Sequence, residues 1–197
     1  MWLPMISLAG FWGIPYLHQI RNFDRIQASL ACTLMWLSFA VFAPFIGAVS
    51  NRIKLRKGTM VFLAIVGLLA CTVIISSTQY GYLTWLVAMI IIGFSATGAP
   101  LSFSAANDIM PKSVCGTAIG IVNMAIVLGG FIGELSIGGI LQYLSSLAHR
   151  HYFTLQDWHM AFKVLPLGFI IGLLVSIYFL KETKAQSMIS DIQGEDL

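Results

Sequence analysis

The chain has 197 residues, of which 58% are hydrophobic and only 10% are charged, whereas soluble domains carry about 25% charged residues. This composition excludes an ordinary soluble globular protein and predicts an integral membrane protein with the lipid bilayer as its surroundings. The net charge of +3 would favour nucleic-acid binding only if the cations shared one folded face. They lie instead at the ends of apolar runs, so nucleic acid is not expected as a partner.

Six apolar runs are predicted to cross a bilayer, which takes a helix of about 20 mostly apolar residues. The predicted spans are residues 1–18, 26–50, 58–76, 82–105, 115–143 and 161–180. They form one bundle over residues 1–181, and the polar residues 182–197 are predicted to be a disordered cytoplasmic tail. The expected fold class is therefore an all-α, multi-pass membrane protein.

The basic residues predict how this bundle is oriented. Four of the seven residues in the loop 51–57 are Lys or Arg, and basic loops next to spans are retained in the cytoplasm. Six spans place both termini on the same side as this loop. We therefore expect both termini in the cytoplasm and the protein in the plasma (inner) membrane.

Polarity changes along the chain with a period of three spans. The third and sixth predicted spans are almost purely aliphatic, as expected of helices that contact lipid. The other four carry aromatic, glycine and small polar residues, as expected of helices around a cavity. Two inverted three-helix repeats would produce this pattern.

A Gly-x-Pro triplet occurs late in the first span and again late in the fourth. Helix breaks are expected at Gly13 and Pro15 and at Gly98 and Pro100. Because proline frees a backbone carbonyl that lipid cannot satisfy, such breaks are tolerated beside other helices or a wet cavity. Paired broken helices indicate the central site of a transporter; the alternative is that each proline kink serves packing alone.

Glu134 is the only acidic residue well inside a predicted span. Burial without a partner would cost at least about 2.5–3.5 kcal/mol, so we expect it to face protein or water. It would bind a proton or a cationic group of a substrate, unless it forms a structural hydrogen bond to a neighbouring helix. The predicted cavity residues are Trp12, Tyr16, Trp36, Ser95, Thr97, Asn123 and Glu134.

No metal site, cofactor or catalytic set is expected from the remaining reactive residues. The three cysteines are isolated, and three histidines with one aspartate share a polar loop at spacings that match no common metal site. These residues are Cys32, Cys71, Cys115, His149, His151, His159 and Asp157. A membrane enzyme would need several such groups at membrane depth, where only Glu134 lies.

The basic loop carries a family resemblance. Gly47, Asn51-Arg52 and Arg56-Lys57 resemble the motif Gly-x-x-x-Asp-Arg-x-x-x-Arg-Arg/Lys, which joins the second and third helices in each six-helix half of the major facilitator superfamily. Asn51 stands where that motif usually has Asp.

The segments 11–17, 107–120 and 181–184 resemble the seventh helix, the loop between the tenth and eleventh helices, and the exit from the twelfth. In the second of these, Cys115 stands where the family often has Arg. The chain is thus similar to the C-terminal half of such a carrier.

The resemblance implies transport of a small solute by alternating access, with a coupled proton as one driving ion and an N-terminal six-helix half as partner. It also implies an inner gate in which Arg52 pairs with Asp108. A chain of six spans is expected to be incomplete alone. The alternative is a six-span subunit that dimerises as a semi-transporter or a channel. The substrate cannot be read from the sequence, although zwitterions, peptides, sugars and cations suit the candidate cavity better than phosphates.

Overall fold

The computed structural model describes residues 1–76, 81–180 and 182–183, and it is helical throughout these ranges, with no strand among them. We number the helices α1 to α6. Helix α1 covers residues 2–19, and the others are α2 (Arg25–Ile53), α3 (Arg56–Ser76), α4 (Tyr82–Ile109), α5 (Cys115–Leu147) and α6 (Leu155–Tyr178). Helices α2 to α6 are each long and apolar enough to cross a membrane. The prediction of an all-α, multi-pass membrane protein is confirmed.

The helices extend further into the loops than the predicted spans do. The basic loop, predicted over residues 51–57, is reduced to Lys54 and Leu55 between α2 and α3. Lys54 ends α2 in the left-handed conformation, with φ of 55°, and this single residue reverses the chain. Of the tail predicted over residues 182–197, only Glu182 and Thr183 lie within the described residues.

The start of α6 also precedes the predicted span, because the polar sequence there forms a helix cap. The Thr154 backbone N–H and hydroxyl both donate to Asp157 Oδ2, each over 2.8 Å. In return the Asp157 backbone N–H donates to the Thr154 hydroxyl. This capping box begins the helix, and Arg150 adds an ion pair to Asp157 at 3.3 Å.

Three of the helices change geometry within about one turn before a proline. Pro100 has no N–H to donate to the Ala96 carbonyl, and α4 breaks at Thr97, between Tyr82–Ala96 and Gly98–Ile109. Pro166 lies four residues after Phe162, where the first part of α6 ends. In α1 a π-helical segment, Ile6–Trp12, precedes Gly13 and Pro15.

The π-helical segment explains the glycine at position 13. The Gly13 N–H donates to the Leu8 carbonyl, five residues back, instead of to the residue four back. A Cβ on residue 13 would overlap that carbonyl oxygen. Cys32 Sγ lies 3.8 Å from the same oxygen, so the break in α1 packs directly against α2.

Helix α1 lies at the centre of the bundle and contacts α2, α4, α5 and α6. Helix α4 is also well covered, with 56% of its most apolar stretch buried, whereas the values for α2 and α5 are 17% and 11%. A polar side chain also joins α2 to α4, because the Ser38 hydroxyl donates to the Ile90 carbonyl at 2.8 Å. The arrangement of α1–α3 and α4–α6 as inverted repeats stays a prediction.

Candidate functional site

A groove of about 770 Å³ lies between the π-helical segment of α1 and the middle of α5. We call it the α1–α5 groove. Its walls are aromatic on the α1 side, where Trp2, Phe11 and Trp12 contribute, and carry Phe131 and Glu134 on the α5 side. The groove is therefore lined mainly by apolar side chains and contains one carboxylate.

Glycines of α5 allow this groove to form. A Cβ on Gly138 would lie 3.1 Å from the Trp12 ring, and a Cβ on Gly130 would lie 3.4 Å from Ile6. A Cβ on Gly133 would lie 2.6 Å from Leu3 Cγ. Small residues on this face let the backbones of α1 and α5 approach closely.

Glu134 and Trp12 carry unsatisfied polar atoms at this groove. Glu134 Oε1 and Trp12 Nε1 are both buried, and neither has a hydrogen-bond partner within the described part of the chain. The indole N–H lies beside the carboxylate without meeting hydrogen-bond geometry. A buried polar group without a partner costs about 1–3 kcal/mol, so the site favours a ligand that supplies the missing contact.

The other predicted cavity residues lie elsewhere. Tyr16 is buried with Trp85 and Phe162, at ring-centroid distances of 5.4 and 4.8 Å, outside the groove. Ser95 and Thr97 are buried and donate to carbonyls of their own helix, over 2.8 and 2.6 Å. They therefore stabilise α4 locally, beside its break.

Asn123 and Trp36 lie on exposed surfaces of α5 and α2. Trp36 is nevertheless close to the groove, because its ring packs edge-on against Trp2 at 6.0 Å. Asn123 lies on the half of α5 nearer the basic loop, away from the groove. A second cavity, of about 350 Å³, adjoins the α4 break and includes Gly98, Ala99 and Gly129 in its lining.

A charged cluster occupies the end of the bundle that carries the basic loop. Arg56 Nε lies 2.5 Å from Asp108 Oδ2, and both side chains are buried. The Thr183 hydroxyl donates to the same carboxylate oxygen over 3.0 Å. We call Arg56, Asp108, Glu182 and Thr183 the charged cluster; it joins the start of α3, the end of α4 and the segment after α6.

Glu182 caps α3 from the far end of the chain. Its carboxylate accepts from the backbone N–H groups of Arg56 at 2.7 Å and Lys57 at 3.1 Å, where the helix dipole favours negative charge. Lys57 Nζ donates to the Ile177 carbonyl near the end of α6. The exit from α6 is thus held against α3 by backbone and side-chain contacts.

The predicted pairing of Arg52 with Asp108 does not form; Arg56 takes this place instead. Arg52 lies in the last turn of α2 and is exposed, as is Asn51 beside it. Gly47, one turn earlier, is half-exposed. The chain reversal at Lys54 puts Arg56 on the buried side of α3, within reach of the end of α4. The ion pair to Asp108 therefore comes from Arg56 of the predicted gate loop and not from Arg52. A gating role of this loop stays a prediction.

The comparison with known families decides the class of protein. The family model of the Major Facilitator Superfamily matches residues 3–194. The chain belongs to this superfamily. Membership confirms the resemblance that the basic loop predicts.

Curated relatives of this superfamily member are transporters by name. The chain is 27% identical over 172 residues to the chloroplastic ascorbate transporter of Arabidopsis thaliana, covering 83% of this chain and 29% of the relative. It is 28% identical over 174 residues to the probable anion transporter 1, chloroplastic, of Oryza sativa subsp. japonica, covering 83% and 30%. The chain thus spans less than a third of the length of these relatives. No solved structure matches it.

Two polar residues of the charged cluster are not predicted as site residues from the sequence. Glu182 and Thr183 follow the last predicted span, in the segment that the sequence predicts to be a disordered tail. Acidic residues favour helix N-termini, but the helix that Glu182 caps is 126 positions away along the chain. No local sequence signal connects the two. Among the described residues no group of three or more His, Cys, Asp or Glu side chains is placed to hold a metal ion.

Proposed function

We propose that this chain forms the C-terminal six-helix half of a secondary carrier that moves a small solute by alternating access. The observation that carries the proposal is the charged cluster, joined to a superfamily match over nearly the whole chain. The cluster lies at one end of the bundle, while the α1–α5 groove lies further along the helices. A carrier needs such a separation between a central site and a breakable seal.

The charged cluster has the chemistry of a seal that can open. A buried ion pair gains from mutual attraction but loses hydration, so the pair as a whole contributes little net stability, whereas removing one partner costs about 3–5 kcal/mol. If water entered this end of the bundle, Arg56 and Asp108 would recover their hydration. The closed and open arrangements can therefore have similar free energies, as alternating access requires.

The helix breaks give the bundle places to bend. The break at Thr97 in α4 and the π-helical segment of α1 each lack regular α-helical hydrogen bonds. Both adjoin a cavity, in agreement with the expectation that broken helices mark the central site. We propose that α1 and α4 are the first helices of two inverted repeats and bend at these points as the carrier changes orientation.

The partner we propose is an N-terminal six-helix half. Helices α2 and α5 expose most of their surface, and the curated relatives are more than three times as long as the matched region. That length leaves room for a second bundle to cover α2 and α5. A second copy of this chain is the alternative occupant, and it would make the protein a dimeric semi-transporter.

Two ligands suit the carboxylate in the groove. A coupled proton would neutralise Glu134, as symport with protons requires, and the charged group of a cationic solute would pair with it. We do not propose the anions for which the relatives are named as ligands of this groove. The described lining of the groove contains no basic side chain that could pair with an anion.

The gate is tested by cysteine accessibility in the native assembly, in sealed membrane vesicles. Cys32, Cys71 and Cys115 are replaced by alanine, and Gly139, which is exposed at the groove, is replaced by cysteine. Asp108→Asn should raise the labelling rate of this cysteine from the basic-loop side at least about tenfold and lower it from the opposite side. A tenfold change needs only about 1.4 kcal/mol of the roughly 3–5 kcal/mol that the loss of one partner costs.

The double variant Arg56→Asp/Asp108→Arg is the matched control, because it exchanges the charges and keeps the pair. It should restore both labelling rates towards those of the parent, and Arg52→Gln should leave them unchanged. Equal rates from both sides in every variant would refute an alternating gate at this cluster.

A further inference from the structure

The lining of the α1–α5 groove has an unusual balance of charge. Its only charged side chain among the described residues is Glu134, and no Lys, Arg or His lines it. Among the described residues, the Lys and Arg side chains lie at or near the helix ends, apart from Lys163 at the break in α6. A counter-charge for Glu134 therefore has to come from outside the described part of the chain.

Aromatic rings line the same groove as the carboxylate. Trp2, Phe11, Trp12 and Phe131 all contribute to the groove. Trp2 also packs against Phe39 at 5.0 Å, which extends the aromatic wall towards α2. The face of an aromatic ring attracts a cation, most strongly for Trp, and this attraction grows when the site excludes water.

This combination discriminates between kinds of cation. A metal ion such as Ca²⁺ takes six to eight oxygen ligands, and the groove offers one carboxylate and the amide of Gln142. A proton would satisfy the carboxylate but gains nothing from the rings. An organic ammonium ion uses both, because its charge is spread over methyl or methylene groups that pack on aromatic faces.

We propose that the α1–α5 groove is a binding site for an organic monocation, a protonated amine or a quaternary ammonium ion, held by Glu134 and the faces of Trp2 and Trp12. This proposal rests on the proposed function, since it names the class of solute that the carrier takes. The groove volume of about 770 Å³ exceeds the needs of a single aromatic amine. The Trp12 ring packs close to Gly138, where a Cβ would lie 3.1 Å from the ring.

Three aromatic probes test the proposal by equilibrium binding to the native assembly, purified in nanodiscs. Phenyltrimethylammonium carries a positive charge, tert-butylbenzene is its neutral isostere, and benzoate carries a negative charge. The cation should bind at least about tenfold more tightly than the neutral probe, as expected for a charge pair in a partly desolvated site. Benzoate should show no saturable binding.

Variants assign the binding to the groove. Glu134→Gln should lower cation affinity about tenfold or more, whereas Asp24→Asn, which removes the same charge at the exposed start of α2, should leave it unchanged. Trp12→Phe keeps an aromatic face and should cost little, but Trp12→Leu should cost about threefold to thirtyfold. Circular dichroism and thermal unfolding establish that each variant is folded.

Several outcomes would overturn the proposal. Equal affinity for the cation and its neutral isostere would make the groove a merely apolar surface, and preferred binding of benzoate would assign it to anions. Unchanged cation affinity in a folded Glu134→Gln variant would make the acid structural. Failure of all three probes to bind would also refute the site, while the labelling of Gly139→Cys from the two sides would still decide separately whether the chain belongs to an alternating carrier.

Discussion

At the scale of single residues, glycines decide where the helices of this bundle touch. Gly93 of α4 packs against the backbone of α2, and a Cβ there would overlap the Met35 carbonyl oxygen. For Gly139 of α5, no described atom beyond its own helix turn lies within 4 Å of the position that a Cβ would take. The same residue type thus serves close contact at one site and leaves open space at another.

This difference predicts opposite effects of the same substitution. Gly93→Ala should lower the free energy of unfolding by about 1–3 kcal/mol, because the obstructing atom belongs to the backbone and cannot rotate away. Gly139→Ala should leave stability unchanged or raise it by about 0.5–1 kcal/mol, since alanine favours the helix. Thermal unfolding in one detergent measures both, and equal midpoints for the two variants would contradict the close approach of α2 and α4.

Single residues also show the limit of reading sites from sequence. Glu134 could be singled out because an acid inside an apolar run is costly wherever it lies. The sequence suggests Trp12 and Tyr16 on equal grounds, because both are aromatic residues of the first predicted span. The structure brings Trp12 to the groove and buries Tyr16 against Trp85 and Phe162, a choice that depends on how the helices rotate.

At the scale of elements, proline position explains the geometry of three helices. The breaks in α4 and α6 fall at Thr97 and Lys163, each three residues before a proline. Pro44 in α2, by contrast, lies within a continuous helix. Proline therefore permits a break, and the surroundings determine whether one forms.

Replacing Pro100 should close the break in α4. Pro100→Ala supplies an N–H that can donate to the Ala96 carbonyl, so amide hydrogen exchange over residues 97–101 should slow by about tenfold. In the labelling assay, the conformational change that exposes Gly139→Cys to one side of the membrane and then to the other should slow as well. Pro44→Ala is the matched control, and it should change neither measurement. Unaltered exchange in Pro100→Ala would show that packing, not the proline, breaks α4.

At the scale of the whole molecule, coverage is uneven in a way that composition cannot express. Helices α2 and α5 are as apolar as the buried helices, yet most of their surface is exposed. Lipid and another helical bundle are both apolar, so hydropathy alone does not tell which of them a helix contacts. The charged cluster adds a further long-range feature, since it connects α3, α4 and the segment after α6.

The orientation of the bundle is predicted by its basic residues and can be measured directly. In the cysteine-free background, Leu55→Cys lies between α2 and α3, and His151→Cys lies between α5 and α6; both positions are exposed. An impermeant maleimide should label Leu55→Cys only from the cytoplasmic side and His151→Cys only from the opposite side. Neither change removes a Lys or Arg. The reverse pattern would invert the predicted topology.

The sequence by itself determined the class of fold, the six helical segments and the superfamily, because apolar run length, proline position and the basic loop are local properties of the chain. Only the tertiary structure decided that Asp108 pairs with Arg56 and not Arg52, that Glu182 caps α3, and that Trp12 meets Glu134 across two helices. These contacts join residues far apart in sequence. Which residues meet depends on the rotation and separation of the packed helices. At Lys54, for example, the left-handed conformation reverses the chain, and Arg56 is buried while Arg52 is exposed.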